Sequence, residues 1–235
     1  MRLIERQHLS DESGFSLVEL LVAMVIGMMV LMAAFMVLDR TITASGQVAD
    51  RSEALQRGRQ AMELVTRQLR SQVCVGSTKP IVSGTDTSVS FYADLSDGTT
   101  PIKQRTLSYS AVTDTITETL VAGAGTYPNL TFNGTPSSTP LLTKVKQIQD
   151  NGPPVTLRPI FRYYGYQTGT TNGTLVPLTA PLSATDLGRV AVIKVGFRAF
   201  PVRTISNDKD SAVLEDDVYT RVAVPTELQG APECI

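Results

Sequence analysis

The residues able to do chemistry are few, and they gather near the start of the chain. From Phe15 to Leu38 the sequence reads FSLVELLVAMVIGMMVLMAAFMVL, 24 residues in which Glu19 is the only ionisable one. A carboxylate in hydrocarbon costs several kcal/mol unless it is paired or reaches the interface, so Glu19 demands an explanation. One reading is a side chain that snorkels to the headgroups. The other uses spacing: if the chain began at Phe15, Glu19 would lie four residues on, one turn along the same helix face. A freed α-amine at Phe15 would then be its counter-charge, in the same chain or in a neighbour. Material for catalysis is scarce. Two Cys, one His and no Trp in 235 residues leave little for a zinc cluster or a Cys/His or Ser/His centre. No nucleophile is accompanied by a base, so the chain reads as a non-enzyme. The balance of 21 Lys+Arg against 22 Asp+Glu argues against nucleic-acid binding driven by global positive charge.

The apolar run must position Glu19. At about 1.5 Å per residue it makes roughly 36 Å of helix, enough to cross a ~30 Å hydrocarbon layer. A secretory signal has a shorter apolar region, about 7 to 15 residues; cleavage near Ala33 and Ala34 is the alternative it offers. Arg2 and Arg6 favour a cytoplasmic N-terminus, whereas Arg40 pulls the other way. After Leu38 there is no proline until Pro80. Val48, Leu55, Met62 and Leu69 recur every seven residues, with Val65 and Val73 in the same stripe. Charged residues such as Arg51, Arg57, Glu63 and Arg70 fall mostly on other faces, which predicts a helix with one buried side. A soluble core helix separate from the apolar run is one option. A single helix from Phe15 to Cys74 is the other, favoured because Gly46 and Gly58 each cost only about 1 kcal/mol relative to Ala. Gly27 is either a weak spot or a place where neighbouring helices approach closely.

Beyond Cys74 the composition turns to Thr, Ser, Gly and Pro between short β-prone runs. Strands are expected at Ser88 to Ala93, Arg105 to Ala111, Thr115 to Val121, Pro159 to Gln167, Val190 to Phe200 and Tyr219 to Val224. Leu107 and Tyr109, then Ile116 across Thr113-Asp114, read as a hairpin. The alternation Ala191, Ile193, Val195, Phe197, Ala199 marks the central strand, packed on the helix stripe. The stretches 122–140 and 168–187 have turn residues and little periodicity and read as loops.

Gly14-Phe15-Ser16-Leu17-Val18-Glu19, followed by Leu20, Leu21, Val22 and the apolar run, resembles the N-terminal processing motif of type IV pilins and type II secretion pseudopilins. The resemblance implies an α+β, pilin-like fold: a long N-terminal helix, membrane-spanning in its first half, packed on an antiparallel β-sheet head. It divides the chain into a leader (1–14), a transmembrane half-helix (15–38), an amphipathic half-helix (39–74) and a β-rich head (75–235). It also implies that a membrane prepilin peptidase cuts between Gly14 and Phe15 and methylates Phe15, and that Glu19 neutralises the N-terminal amine of an adjacent subunit during assembly. Gly14 suits such a cut, since a residue without a side chain fits a narrow site and resists continuing the helix backward. Similar proteins often carry Lys or Arg beside this Gly, where this chain has Asp11-Glu12-Ser13. Removing residues 1–14 would leave 19 basic and 19 acidic residues and no His. The membrane half also lacks the proline common in major pilins.

Outside the cytoplasm an even Cys pair reads as a disulfide, and Cys74 with Cys234 would tie the C-terminus to the top of the helix; two free thiols are the alternative. Asn207-Asp208-Lys209-Asp210 and Glu215-Asp216-Asp217 offer oxygen ligands to Ca²⁺, as in some pseudopilin heads, but their spacing is not that of an EF-hand and a solvated acidic turn is favoured. Tyr163, Tyr164 and Tyr166 beside Arg162 form either a stacking surface for DNA or an aromatic core strand, and the core strand is favoured. The reading reached is a minor pilin most similar to PilW-type subunits, taking part in pilus assembly or priming. The alternatives are a J-type pseudopilin of a type II secretion system and a membrane-tethered extracellular binding protein that does not polymerise. The partners implied are other pilins, the prepilin peptidase and the inner-membrane assembly platform. The protein would be a single-pass inner-membrane protein with an extracytoplasmic head, passing to a filament or the cell surface after assembly.

Overall fold

A computed structural model describes residues 14–94, 102–150, 152–167, 173–203, 210–220 and 234. Helix α1 runs unbroken over Leu17–Arg70. It is followed by β1 (Ile81–Gly84), β2 (Ser88–Ala93), β3 (Lys103–Ser110), β4 (Thr115–Ala122), β5 (Ala124–Thr126), β6 (Asn129–Thr131) and β7 (Ser137–Thr143). Then come β8 (Val145–Lys146), β9 (Gln149–Asp150), β10 (Thr156–Leu157), β11 (Phe161–Tyr166), β12 (Leu175–Leu178), the short helix α2 (Ala184–Leu187), β13 (Val190–Ala199) and β14 (Ala212–Tyr219). The architecture is α+β with antiparallel sheets, as expected of a pilin-like chain. Two units divide it, residues 1–47 and residues 48–235. In the first, every described residue of α1 is exposed, and the helix is long and apolar enough to cross a membrane.

In the second unit, one sheet has the order β1-β2-β3-β4-β7 and the other β12-β11-β13-β14, with β8 beside β13. The two sheets and the C-terminal part of α1 share one buried cluster: Met62, Val65 and Leu69 meet Phe91 and Leu107 of the first sheet and Phe161, Ile193 and Phe197 of the second. β13 is central, paired with β11 and β8 on one side and β14 on the other, as its alternation predicted. The β3–β4 hairpin turns through Asp114, which adopts φ +49°, a left-handed value that Asp tolerates better than most residues. The chain passes from the first sheet to the second at Lys144, with φ +56°. There Phe200 N–H donates to the Lys144 carbonyl and Val145 N–H to the Asp114 carbonyl. Arg57 of α1 reaches both sides of this crossing, donating to the Phe200 carbonyl at 2.9 Å and to the Thr143 carbonyl and hydroxyl at 3.2 Å.

Four expectations need correction. The helix ends at Arg70 and not at Cys74, because the next residues find partners along the first sheet: Val73 N–H donates to the Tyr92 carbonyl and Gln72 bridges Ala93. The Ser71 amide and hydroxyl close the helix end on the Gln68 carbonyl. Second, the buried residues of α1 are Ala54, Gly58, Ala61, Met62, Val65, Thr66, Gln68 and Leu69, whereas Val48 is 71% exposed. A straight helix drifts about 20° per heptad against a seven-residue repeat, so a strict stripe cannot stay on one contact line. Third, the last described strand is Ala212–Tyr219 and not Tyr219 to Val224, of which residues 221–224 lie outside the described residues. Its inward set Ala212, Leu214, Asp216, Val218 contains an acid, which hid the alternation. Fourth, the stretch 122–140 contains β5, β6 and the start of β7, and residues 173–187 contain β12 and α2. β5, β6 and the start of β7 carry mostly exposed Thr, Ser and Pro without a buried face and so no hydrophobic period, whereas β12 and α2, whose Leu178 and Leu187 pack on the core, are four residues each and too short to display one.

Candidate functional site

The segment singled out by sequence lies at the start of α1. Gly14, Phe15 and Ser16 are not helical, and α1 opens at Leu17. Ser16 makes that start: its hydroxyl accepts from Glu19 N–H at 3.2 Å and its carbonyl from Leu20 N–H at 3.1 Å. Ser16 is thus an N-cap and Glu19 stands three residues after it, the spacing of a capping box. This role was missed in reading the sequence, although the pattern Ser-x-x-Glu before an apolar run was there to find. Glu19 also lies in the first turn, where the helix dipole favours a negative charge. An α-amine at Phe15 would place a positive charge at that same end, where the dipole disfavours it, and Glu19 is then the compensating group. Phe15 is 81% exposed, and no ion pair to Glu19 occurs among the described residues. A Cβ on Gly14, Gly27 or Gly46 would meet nothing within 4 Å.

The head stabilises itself through groups the sequence hinted at only partly. Cys74 and Cys234 are disulfide-bonded, with Cα atoms 5.5 Å apart. Tyr163 is buried and its hydroxyl lies 3.0 Å from both the Thr85 and Ser88 carbonyls, pinning the β1–β2 turn; burial pushes its phenol pKa up. Gly84 makes room for it, since a Cβ there would lie 2.8 Å from the Tyr163 ring. Tyr164 and Tyr166 point to the other face, where Lys194 Nζ stands 5.3 Å from the Tyr164 ring centre and 2.8 Å from Asp217. The aromatic strand is therefore a core strand on one face only.

Of the two acidic stretches, residues 207–209 lie outside the described residues and Asp210 is buried. Glu215 to Asp217 form strand β14 and not a turn, so Glu215 and Asp217 project opposite to Asp216. Glu215 lies 3.0 Å from both Arg158 and Arg162, and Arg158 also pairs with Asp150 at 2.5 Å. Among the described residues no three His, Cys, Asp or Glu side chains converge as metal ligands. Two open grooves lie among the described residues of the head. One of about 340 Å³ is lined by Tyr109, Lys146, Gln147, Arg198 and Phe200. The other, about 470 Å³, runs between α1 and β14 along Leu55, Met62, Val213 and Asp216.

Residues 9–35 match the family described as the prokaryotic N-terminal methylation motif. The match contains Gly14, Phe15 and Glu19 and stops short of the head. Comparison with curated proteins and with solved structures found no match. The motif, the apolar helix it opens and the α+β head mark the chain as type IV pilin-like in the broad sense that includes pseudopilins. Such a motif implies processing by a prepilin peptidase, membrane anchoring through the apolar helix and assembly with other pilins.

Proposed function

We propose that this chain is a minor type IV pilin, of the PilW kind, that takes part in building or priming a pilus. The observation that carries the proposal is the matched motif leading directly into an unbroken helix with an apolar first part, and with Glu19 in its first turn. In this reading residues 1–14 are a leader, 15–38 span the membrane, 39–74 join span to head, and 75–235 form the exported head. Cleavage after Gly14 creates the Phe15 amine, and its methylation leaves that amine basic. Inside a bilayer Glu19 has no water to satisfy it, so contact with the amine of an adjacent subunit favours a packed filament over dispersed monomers. The size of the head, larger than that of a typical major pilin, supports the minor role. The test is mass spectrometry of the protein from its native membrane: a mature N-terminus at methylated Phe15 is expected, and retention of residues 1–14 refutes processing. Co-purification with pilus filaments, and not with a secretion apparatus, distinguishes the pilin from a pseudopilin.

A further inference from the structure

Of the four outer strands of the two main sheets, three have features that discourage pairing with a further strand. β1 and β12 are four residues long, β1 slips register against β2, and β12 contains Pro177. β7 contains Pro140 and lies against a register slip in β4. β14 is different: Ala212–Tyr219 are eight residues without proline, in unbroken register with β13, and among the described residues no strand lies on their other side. Thr220 N–H donates to the carbonyl of Ala191, the residue opposite it. The alternation of an antiparallel ladder therefore turns the backbone groups of Leu214, Asp216 and Val218 toward β13, and those of Val213, Glu215, Asp217 and Tyr219 away from it. Of these outward amides, Asp217 N–H is met by the Asp216 carboxylate at 2.8 Å, and no strand among the described residues meets the rest.

The groove of about 470 Å³ between α1 and β14 runs beside this edge. Leu55, Met62 and Leu214 give it an apolar lining, and Glu63 from α1 and Asp216 from β14 put a carboxylate on each wall. Among the described residues neither carboxylate is in an ion pair, and Arg59, which lines the same groove, pairs with neither. The other acids of β14 are satisfied, Glu215 by Arg158 and Arg162 and Asp217 by Lys194. The unpaired acid of this strand is thus the one that faces the groove. A second copy of β14 is a poor occupant. Antiparallel pairing centred on Asp216 would set Glu215 against Asp217 and Asp216 against itself, and like charges directly opposite are destabilising.

We propose that the β14 edge and this groove form a docking site for an extended segment of another polypeptide that carries a lysine or arginine. The segment adds as a further strand, and its backbone meets the open N–H and C=O groups of Val213 and Glu215, which supplies affinity without regard to sequence. Specificity comes from the groove, because alternate side chains of an added strand enter it: an apolar one beside Leu55 and Leu214, and a basic one between Glu63 and Asp216. An inward-pointing acid on an edge strand turns uncharged strands away, so Asp216 both blocks indiscriminate pairing and selects the basic partner. The inference rests on the head alone and is independent of leader processing.

The experiment uses the full chain, isotope-labelled, in detergent micelles. The probes are capped heptapeptides of sequence TVTXTVT with lysine, alanine or glutamate at X, and a copy of the lysine peptide with every backbone nitrogen methylated. The lysine peptide should shift the Val213 and Glu215 amide resonances saturably, the glutamate peptide should bind about tenfold more weakly, and the methylated peptide should leave them unmoved. Asp216→Asn and Glu63→Gln should each weaken the lysine peptide about threefold and leave the alanine peptide unchanged. Asp186→Asn on α2 should change neither. The proposal fails if no peptide gives a saturable shift at β14, if the lysine and glutamate peptides bind alike, if the methylated peptide binds as well as its parent, or if the groove variants bind as the wild type does. Broadening of the β14 amides with protein concentration, in the absence of peptide, would assign the edge to a second copy and overturn it equally.

Discussion

At Gly58 α1 packs against the second sheet without room for a side chain, which allows a quantitative test of the packing. A Cβ built there would lie 2.5 Å from Leu214 Cδ1 and 3.2 Å from Ala199 Cβ. Gly58→Ala gains about 1 kcal/mol of helix propensity. Against this, the Leu214 methyl must move by about 1 Å, an off-rotamer adjustment of order 0.5 to 1.5 kcal/mol. The two effects nearly cancel, and the alanine variant should unfold within about 1 kcal/mol of wild type. Gly58→Leu has no such escape, because Ala199 Cβ is fixed to the strand backbone. Overpacking there should cost about 2 to 3 kcal/mol, which for a domain of this size lowers Tm by about 5 to 10 °C. Thermal unfolding of the full chain in detergent, followed by near-ultraviolet circular dichroism, reads this out. Leu214→Ala opens the contact, so the double variant should be more stable than the sum of the two single losses by at least about 1 kcal/mol. A leucine variant as stable as wild type, or strict additivity of the double variant, would refute this account of the crossing.

Four further outcomes follow. Tyr163→Phe removes the buried phenol hydroxyl that bonds the Thr85 and Ser88 carbonyls and should cost about 1 to 2 kcal/mol, measured as a loss in unfolding free energy with the ring packing retained. Replacing Cys74 and Cys234 by Ser frees a chain separated by 160 residues. The loop-entropy relation puts that loss at about 5 kcal/mol, read by denaturant titration. Hydrogen bonding to Arg158, reinforced by its charge, holds the Asp150 carboxyl below the usual carboxylate value. Its pairing is therefore present above about pH 4 and lost as pH falls through the lowered pKa, and an NMR titration of Asp150 should inflect below the ordinary ~3.9. In the pilus reading, Glu19→Ala should leave membrane insertion intact and reduce recovery in filaments; unchanged piliation and co-purification would remove Glu19 from the mechanism.

The local features legible in sequence are those a short window contains. The apolar run needs only composition and length to declare a span, and Gly14-Phe15 with Glu19 is a motif of fixed spacing. The hairpin across Thr113-Asp114 and the strand from Val190 were readable because alternation over a buried face repeats every two residues. What escaped depended on partners remote in the chain. Gly58 looks like a weak point in a helix until Ala199 and Leu214 arrive to fill its place. Arg57 looks like one charge among several until Thr143 and Phe200 bring their carbonyls to it. Glu63 and Asp216 look like two acids among many until the fold sets them on facing walls of one groove, beside a strand edge that the sheet order leaves open. Composition and spacing thus determined the segment long and apolar enough to cross a membrane and the N-terminal methylation motif, because those depend on solvent transfer and local geometry. Tertiary structure decided which faces are dry or charged and which edge is open, because that depends on which strands pair and in what register.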